Sequence, residues 1–144
     1  MACELCDSDG GVVLWRNQRV RVVLVDDADY PMFCRVIWNA HVKEMTDLPE
    51  ADRQPFLRIV FAVEQTLRNL LNPAKMNLAS LGNQTPHLHW HVIPRFSTDR
   101  HFPRPVWAES MRTQQETAYP RVSEETLKRE IAKAMAMILG GALQ

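Results

Sequence analysis

Apolar and polar positions alternate in short runs at the start of the chain. "GVVLWRN" (11–17) and "RVVLVDD" (21–27) are β-branched runs a few polar residues apart, a pattern that predicts a hairpin. "FCRVIW" (33–38), after the turn-forming "DADYP", predicts a third strand. The period then lengthens. In "PFLRIVFAVEQTLRNLL" (55–71) the apolar residues Phe56, Ile59, Val60, Val63, Leu67, Leu70 and Leu71 recur at helical spacing. This predicts a long amphipathic helix that begins near residues 49–52 and ends before Pro73. Strand-like runs return in "KMNLASLG" (75–82) and "HLHWHVIPR" (87–95), the fourth and fifth predicted strands. Residues 97–120 are polar and carry Pro103, Pro105 and Pro120, so an irregular connection over the surface is expected. A second helix should open at Ser123, a good N-cap, with Glu124 and Glu125 at the positive end of the dipole. Val122 can staple against Leu127, the stripe Leu127, Ile131, Met135 and Ile138 should be buried, and Gly140–Gly141 should stop the helix. The order of elements implies an α+β class: a five-stranded, mainly antiparallel sheet with one long helix and a C-terminal helix.

Composition narrows the functional classes. The 144 residues suit a single domain, 1–144, with a core of about 1–107 and a C-terminal extension whose helix covers about 123–139. With Lys plus Arg at 17 and Asp plus Glu at 17, no bulk charge draws the chain to nucleic acid or to an anionic membrane. A small phosphate ligand remains compatible with that balance. No apolar run approaches a membrane span, and the polar, acidic start "MACELCDSDGG" lacks the features of a secretory signal. Cys3, Cys6 and Cys34 are too few for a disulfide scaffold, so a reducing cytoplasm is the expected location.

The chemistry concentrates in "TPHLHWHVIPRF", where His87, His89 and His91 occupy alternate positions. A strand repeats its side-chain direction every two residues, so the three imidazoles share one face while Leu88, Trp90 and Val92 pack against the long helix. A lone histidine here would be a hydrogen-bonded structural residue; three in register indicate a site. Two chemistries compete. A His-x-His pair can present two nitrogens to a catalytic zinc. Alternatively, one imidazole donates from one nitrogen to a backbone carbonyl and attacks with the other.

"HLHWHVI" resembles the His-φ-His-φ-His-φ-φ signature of the histidine-triad (HIT) superfamily of nucleotide hydrolases and transferases, particularly bacterial members similar to diadenosine polyphosphate hydrolases. "NLASLGNQTP" looks like that family's strand and loop before the triad, with Asn83–Gln84–Thr85 in place of the usual Gly-Gln-Ser/Thr. "CRVIWNAH" resembles its Val-Ile-Pro-Lys-x-His stretch and ends on His41. The likeness runs from about Cys3 to Phe96. It implies that His89 attacks the α-phosphorus, that a covalent nucleotidyl-histidine forms, and that water then cleaves it. By the same resemblance His91 contacts phosphate oxygens and His87 orients the triad. Gln84 and Thr85 hydrogen-bond phosphate or leaving group, with Asn83 beside them and Asn77 supporting. Asp26, preferred to Asp27, stands where the family places a ribose acceptor, although a turn-opening Asp explains either one equally simply. The implied substrate is a purine nucleotide, either a nucleoside phosphoramidate or a dinucleoside polyphosphate. The implied assembly is a homodimer, and catalysis requires no cofactor. The remaining alternatives are the zinc-dependent hydrolase and a non-catalytic nucleotide-binding module.

The likeness has departures. Phe33 stands where many relatives carry a further histidine, and Trp38 and Asn39 replace the usual proline and lysine. "CELC" has spacing suited to a zinc knuckle or a redox pair, the latter disfavoured because a polar loop is expected to follow. Some bacterial HIT proteins bind a structural zinc through such a pair and two histidines, which here map onto Cys3, Cys6, His41 and His87. Two reduced thiols on a mobile terminus are the simpler alternative. Cys34 reads as a small core residue, His101 as a surface loop residue and Trp107 as packing.

Overall fold

The computed structural model describes residues 2–140. Five strands form one sheet: β1 (Val12–Arg16), β2 (Val20–Leu24), β3 (Cys34–Trp38), β4 (Lys75–Ala79) and β5 (His89–Arg95). Their order is β1-β2-β3-β5-β4 and every pairing is antiparallel. Three helices accompany them: α1 (Glu4–Asp7), α2 (Glu50–Leu71) and α3 (Glu124–Leu139). The expected α+β architecture is therefore observed.

Strand ends are shorter than the β-branched runs suggest. β2 stops at Leu24, β4 stops at Ala79 and not Gly82, and β5 begins at His89. His87 and Leu88 lie just before the ladder but are held by it: the Trp38 N–H donates to Leu88 O, and the Leu88 N–H donates to Val42 O. α1 runs through "CELC" itself, with a polar segment after it; one helical turn carries too little periodicity to be seen in sequence. Gly11, at φ 155, makes the return from α1 into β1; a Cβ there would run into the Leu24 carbonyl.

Alternation divides the sheet into two faces. The back face carries Val22, Cys34, Val36, Leu88 and Val92, all buried in one core with Phe56, Ile59, Val60, Val63 and Leu67 of α2. α2 ends at Asn72, whose left-handed φ of 47 lets its N–H cap Arg68 O just before Pro73. α3 adds Leu127, Ile131 and Met135 to the same core. Its last buried position is Leu139, whereas Ile138 is only partly covered, so the expected stripe shifts by one residue at its end. The Ser123 cap is present, with Oγ accepting from the Thr126 N–H. Gly140 ends the helix, and Gly141 lies outside the described residues.

The front face bears the histidines and is covered in two places. On the β2–β3 side, Leu5 of α1 packs on Val23 and Ile37. The buried Arg21 donates to the carbonyls of Leu5, Ser8 and Asp9, tying the end of α1 to the sheet. On the β5 side, the segment after β5 folds over Tyr30, Phe33 and Ile93. Its anchor is the fully buried Asp99, which accepts from Arg95 at 2.8 and 3.0 Å and from the backbone N–H groups of Phe96, His101 and Phe102. Arg95 also donates to Asn77 Oδ1 and Arg104 O. His101 is part of this anchor: its Nδ1 meets the Tyr30 hydroxyl at 2.7 Å, so it is half-buried and does not lie free on the surface.

Removing one member of a buried, hydrogen-bonded ion pair leaves the other charge uncompensated. Asp99→Ala should therefore lower unfolding free energy in urea by about 3–5 kcal/mol. The exposed Arg16–Asp9 pair should contribute under about 1 kcal/mol. Equal effects of the two deletions would contradict the assigned anchor.

Candidate functional site

The three histidines are buried, at 1%, 6% and 5% exposure for His87, His89 and His91. Their hydrogen bonds determine which nitrogen of each ring is free. His87 Nε2 lies 2.6 Å from Trp38 O. A carbonyl only accepts, so Nε2 carries the proton and Nδ1 keeps its lone pair. His89 has the opposite arrangement. Its Nδ1 donates to His87 O at 2.5 Å, leaving the lone pair on Nε2. That Nε2 has no protein partner among the described residues, yet it is not one of the buried unpartnered atoms, so it reaches solvent. The ring is enclosed at its base and open at the nitrogen suited to attack. Burial lowers the basicity of both His87 and His89.

His91 differs from both. Its Nδ1 is buried and has no partner among the described residues. The ring meets His89, Trp107 and Phe33 edge-on, with centroids 4.8, 5.0 and 5.5 Å apart. Burial, then the neighbouring His89 and Arg35, push its pKa down to about 3, so the ring is neutral at ordinary pH. Phe33 thus shapes the His91 position. Trp107, expected to serve as packing, packs edge-on against His91 while remaining 54% exposed. Only the fold of the segment after β5 brings it there.

The Nδ1 lone pair of His87 points at a second cluster. Cys3 Sγ, Cys6 Sγ and His41 Nδ1 lie 3.4, 3.5 and 3.3 Å from it, and Cys6 Sγ lies 3.4 Å from His41 Nδ1. All four ligand atoms fall within 4.8 Å of one another. Tetrahedral zinc, with bonds of about 2.3 Å to sulfur and about 2.0 Å to nitrogen, sets its ligands about 3.3–3.8 Å apart. The donor set fits such an ion, and the four spacings of 3.3–3.5 Å match it. His89 is not part of this group, so the convergence does not support a catalytic metal shared by His87 and His89. The N-terminal cysteines are therefore held beside His87 and are not a loose pair.

Asn83, Gln84 and Thr85 form the turn before the triad; Asn83 and Gln84 are exposed and Thr85 is half-buried. Thr85 O accepts from the His87 N–H at 2.8 Å, so the turn positions the triad through its backbone. Asn77 lies on the front face, but its Oδ1 is engaged by Arg95 at 2.8 Å. Asp26 is exposed in an open cleft of about 570 Å³ lined also by Gly10, Gly11, Val25 and Arg35. A more enclosed apolar cavity of about 420 Å³ lies elsewhere, between Trp38, Phe56 and Leu139, and contains none of the histidines.

A histidine kept neutral by folding penalises the native state once the unfolded chain can protonate. The unfolded imidazole titrates near about 6.5. Native stability should therefore fall as pH drops from about 6.5 toward about 3, with His91 contributing up to about 1.4 kcal/mol per pH unit. Urea melts of wild type and His91→Asn at pH 7, 6, 5 and 4 should show a shallower loss in the variant. Parallel curves would refute the assignment.

A HIT-domain family model matches residues 9–98. Among solved structures, a histidine triad protein from Marinobacter aquaeolei is 24% identical with a TM-score of 0.71, over 95% of this chain and 96% of its own. One from Bradyrhizobium japonicum is 25% identical with a TM-score of 0.69, over 85% and 92%. A Zn-bound histidine triad family protein from Mycobacterium smegmatis is 18% identical with a TM-score of 0.59, over 97% of both chains. No curated protein sequence matches significantly. With the family model spanning most of the chain and the alternating imidazoles arranged on one strand face, this protein belongs to the histidine-triad (HIT) family.

Proposed function

We propose that this HIT protein is a nucleotide hydrolase that acts at the α-phosphate of a nucleoside phosphoramidate or a dinucleoside polyphosphate, with a purine nucleotide as substrate. The observation that carries this reading is His89: Nδ1 is committed to His87 O and Nε2 is free at the surface of the site. The Nε2 lone pair attacks the α-phosphorus, and the P–N or P–O bond to the leaving group breaks with its electron pair. The leaving group takes up a proton, and the nucleotide remains on His89. Water then attacks phosphorus, expels Nε2 and releases a nucleoside monophosphate. Phosphoryl transfer of this kind needs positioning and charge stabilisation, which a rigid strand face supplies. His91 offers a hydrogen bond to the phosphate oxygens, and Gln84 and Thr85, in the turn before the triad, hydrogen-bond the phosphate or the leaving group. Asp26, exposed in the adjoining cleft, is the candidate ribose acceptor.

In this reading Cys3, Cys6, His41 and His87 hold a structural zinc, which would fix the His87 ring and close the N-terminal segment onto the sheet. Two free thiols beside two imidazoles suit a reducing, cytoplasmic setting. A homodimer is the assembly proposed, using the exposed face of α2 around Phe61 or a sheet edge.

The test of mechanism is rapid quenching of wild type and His89→Gly after mixing with an adenosine phosphoramidate or diadenosine tetraphosphate. Wild type should show adenylylated protein and release AMP; His89→Gly should lose at least about 10³-fold in turnover. Full activity in the variant would reject His89 as nucleophile. Binding without turnover in wild type would indicate a nucleotide-binding module instead. Protein purified without chelators should contain one zinc per chain and sediment as a dimer, and Cys6→Ser should lose the zinc. Metal-free or monomeric wild type would overturn the corresponding assignment.

A further inference from the structure

Among the described residues, Arg35 is the cation that the histidine face leaves unpaired. It lies in β3 directly opposite His91 of β5, with Val23 of β2 on its other side. All three side chains project to the front of the sheet. Arg35 makes no ion pair or hydrogen bond among the described residues. Its buried Nε and His91 Nδ1 are the two buried side-chain polar atoms that lack a partner there. The guanidinium rests over the Phe33 ring at 5.8 Å, which orients it without neutralising it.

Neighbouring arginines behave differently. Arg95 is paired with Asp99, and Arg21 donates to three backbone carbonyls and Asn39 Oδ1. The carboxylates whose fields reach Arg35, Glu4 and Asp27, form no ion pair with it. A partly buried guanidinium with an orphaned Nε is costly unless a ligand supplies the anion. Two orphan nitrogens thus belong to cross-strand neighbours on adjacent strands. This local imbalance points to a ligand that carries acceptor oxygens.

The location identifies which part of the ligand. Arg35 is both a wall of the open cleft beside Asp26, Gly10 and Gly11 and the cross-strand neighbour of His91. A nucleotide with its nucleoside in that cleft must carry its phosphate across β3 to reach His89 on β5. Its path crosses the guanidinium. His91, neutral at ordinary pH, supplies a hydrogen bond there but no charge.

Resting on the nucleotide reading above, we propose that Arg35 contacts substrate directly, its guanidinium receiving the non-bridging oxygens of the α-phosphate between the nucleoside cleft and His89. A planar fork of N–H donors matches two phosphate oxygens, and such charge-assisted bonds are among the strongest that a side chain makes. The site thereby prefers nucleotides to nucleosides.

Titration calorimetry of AMP, GMP, adenosine and guanosine against wild type, Arg35→Gln and Arg35→Lys tests this. Arg35→Gln should weaken nucleotide binding by about 10–100-fold and leave nucleoside binding within about twofold. Arg35→Lys keeps the charge without the fork and should recover part of the loss. Thermal unfolding of each variant verifies the fold, and if Arg35→Gln does not fold, the same nucleotide-to-nucleoside ratio is read on Arg35→Lys. Equal losses for nucleotide and nucleoside, no loss for either, or a wild type that binds nucleotides no more tightly than nucleosides would each overturn the proposal. The two readings fail separately. Nucleotide binding through Arg35 without adenylylated His89 rejects the hydrolase and keeps this contact; adenylylated His89 with an unchanged KM in Arg35→Gln rejects this contact alone.

Discussion

The site depends on one short hydrogen bond, from His89 Nδ1 to the carbonyl of His87 two residues earlier. Because a carbonyl can only accept, this contact fixes the tautomer of His89, the direction of its ring and the location of its lone pair together. His87 makes the mirror choice, donating from Nε2 to Trp38 O and turning Nδ1 toward two thiols and His41. Adjacent members of the triad therefore expose opposite nitrogens. One faces a cluster that fits a metal, and the other faces the open side of the sheet. Residue type alone does not separate these roles; the carbonyl each ring meets does.

That arrangement requires a rigid strand, and the back of the sheet provides it. Leu88, Trp90 and Val92 interleave with the histidines and pack toward the core built on α2 and α3, so the triad cannot rotate without opening that core. The front is shaped by two separate clamps. Arg21 holds the N-terminal turn, and with it Cys3 and Cys6, over β2 and β3. Asp99 gathers Arg95, Tyr30 and three backbone N–H groups to hold the segment that carries Trp107. The histidines occupy the gap between the clamps.

Charge is distributed unevenly around that gap. Burial keeps His91 neutral, Arg95 and Arg21 are satisfied within the fold, and Arg35 has no partner among the described residues. The overall formal charge of zero says nothing about this local imbalance. A site for a small anion needs only one or two well-placed donors, which is why a neutral protein can be built to receive phosphate.

Much of the architecture was legible in the residues. Period-two and period-3.6 patterns located the strands, α2 and α3, because each element buries one face against a common core. The strand ends and α1 were not legible: a ladder ends where its partner ends, and a single turn of helix has no period. His87, His89 and His91 could be placed on one face from spacing alone, since that depends only on local backbone geometry. The convergence of Cys3 and Cys6 with His41 and His87 was suggested by resemblance but not by any local pattern, being a contact across more than eighty residues between Cys3 and His87. Trp107 against His91, and Arg35 without a counter-ion beside it, had no sequence signal. Local order thus determined which face carries the imidazoles. Only the packing of distant segments decided which ring nitrogens are free and which cation remains unpaired, because hydrogen-bond partners and burial are properties of the assembled chain.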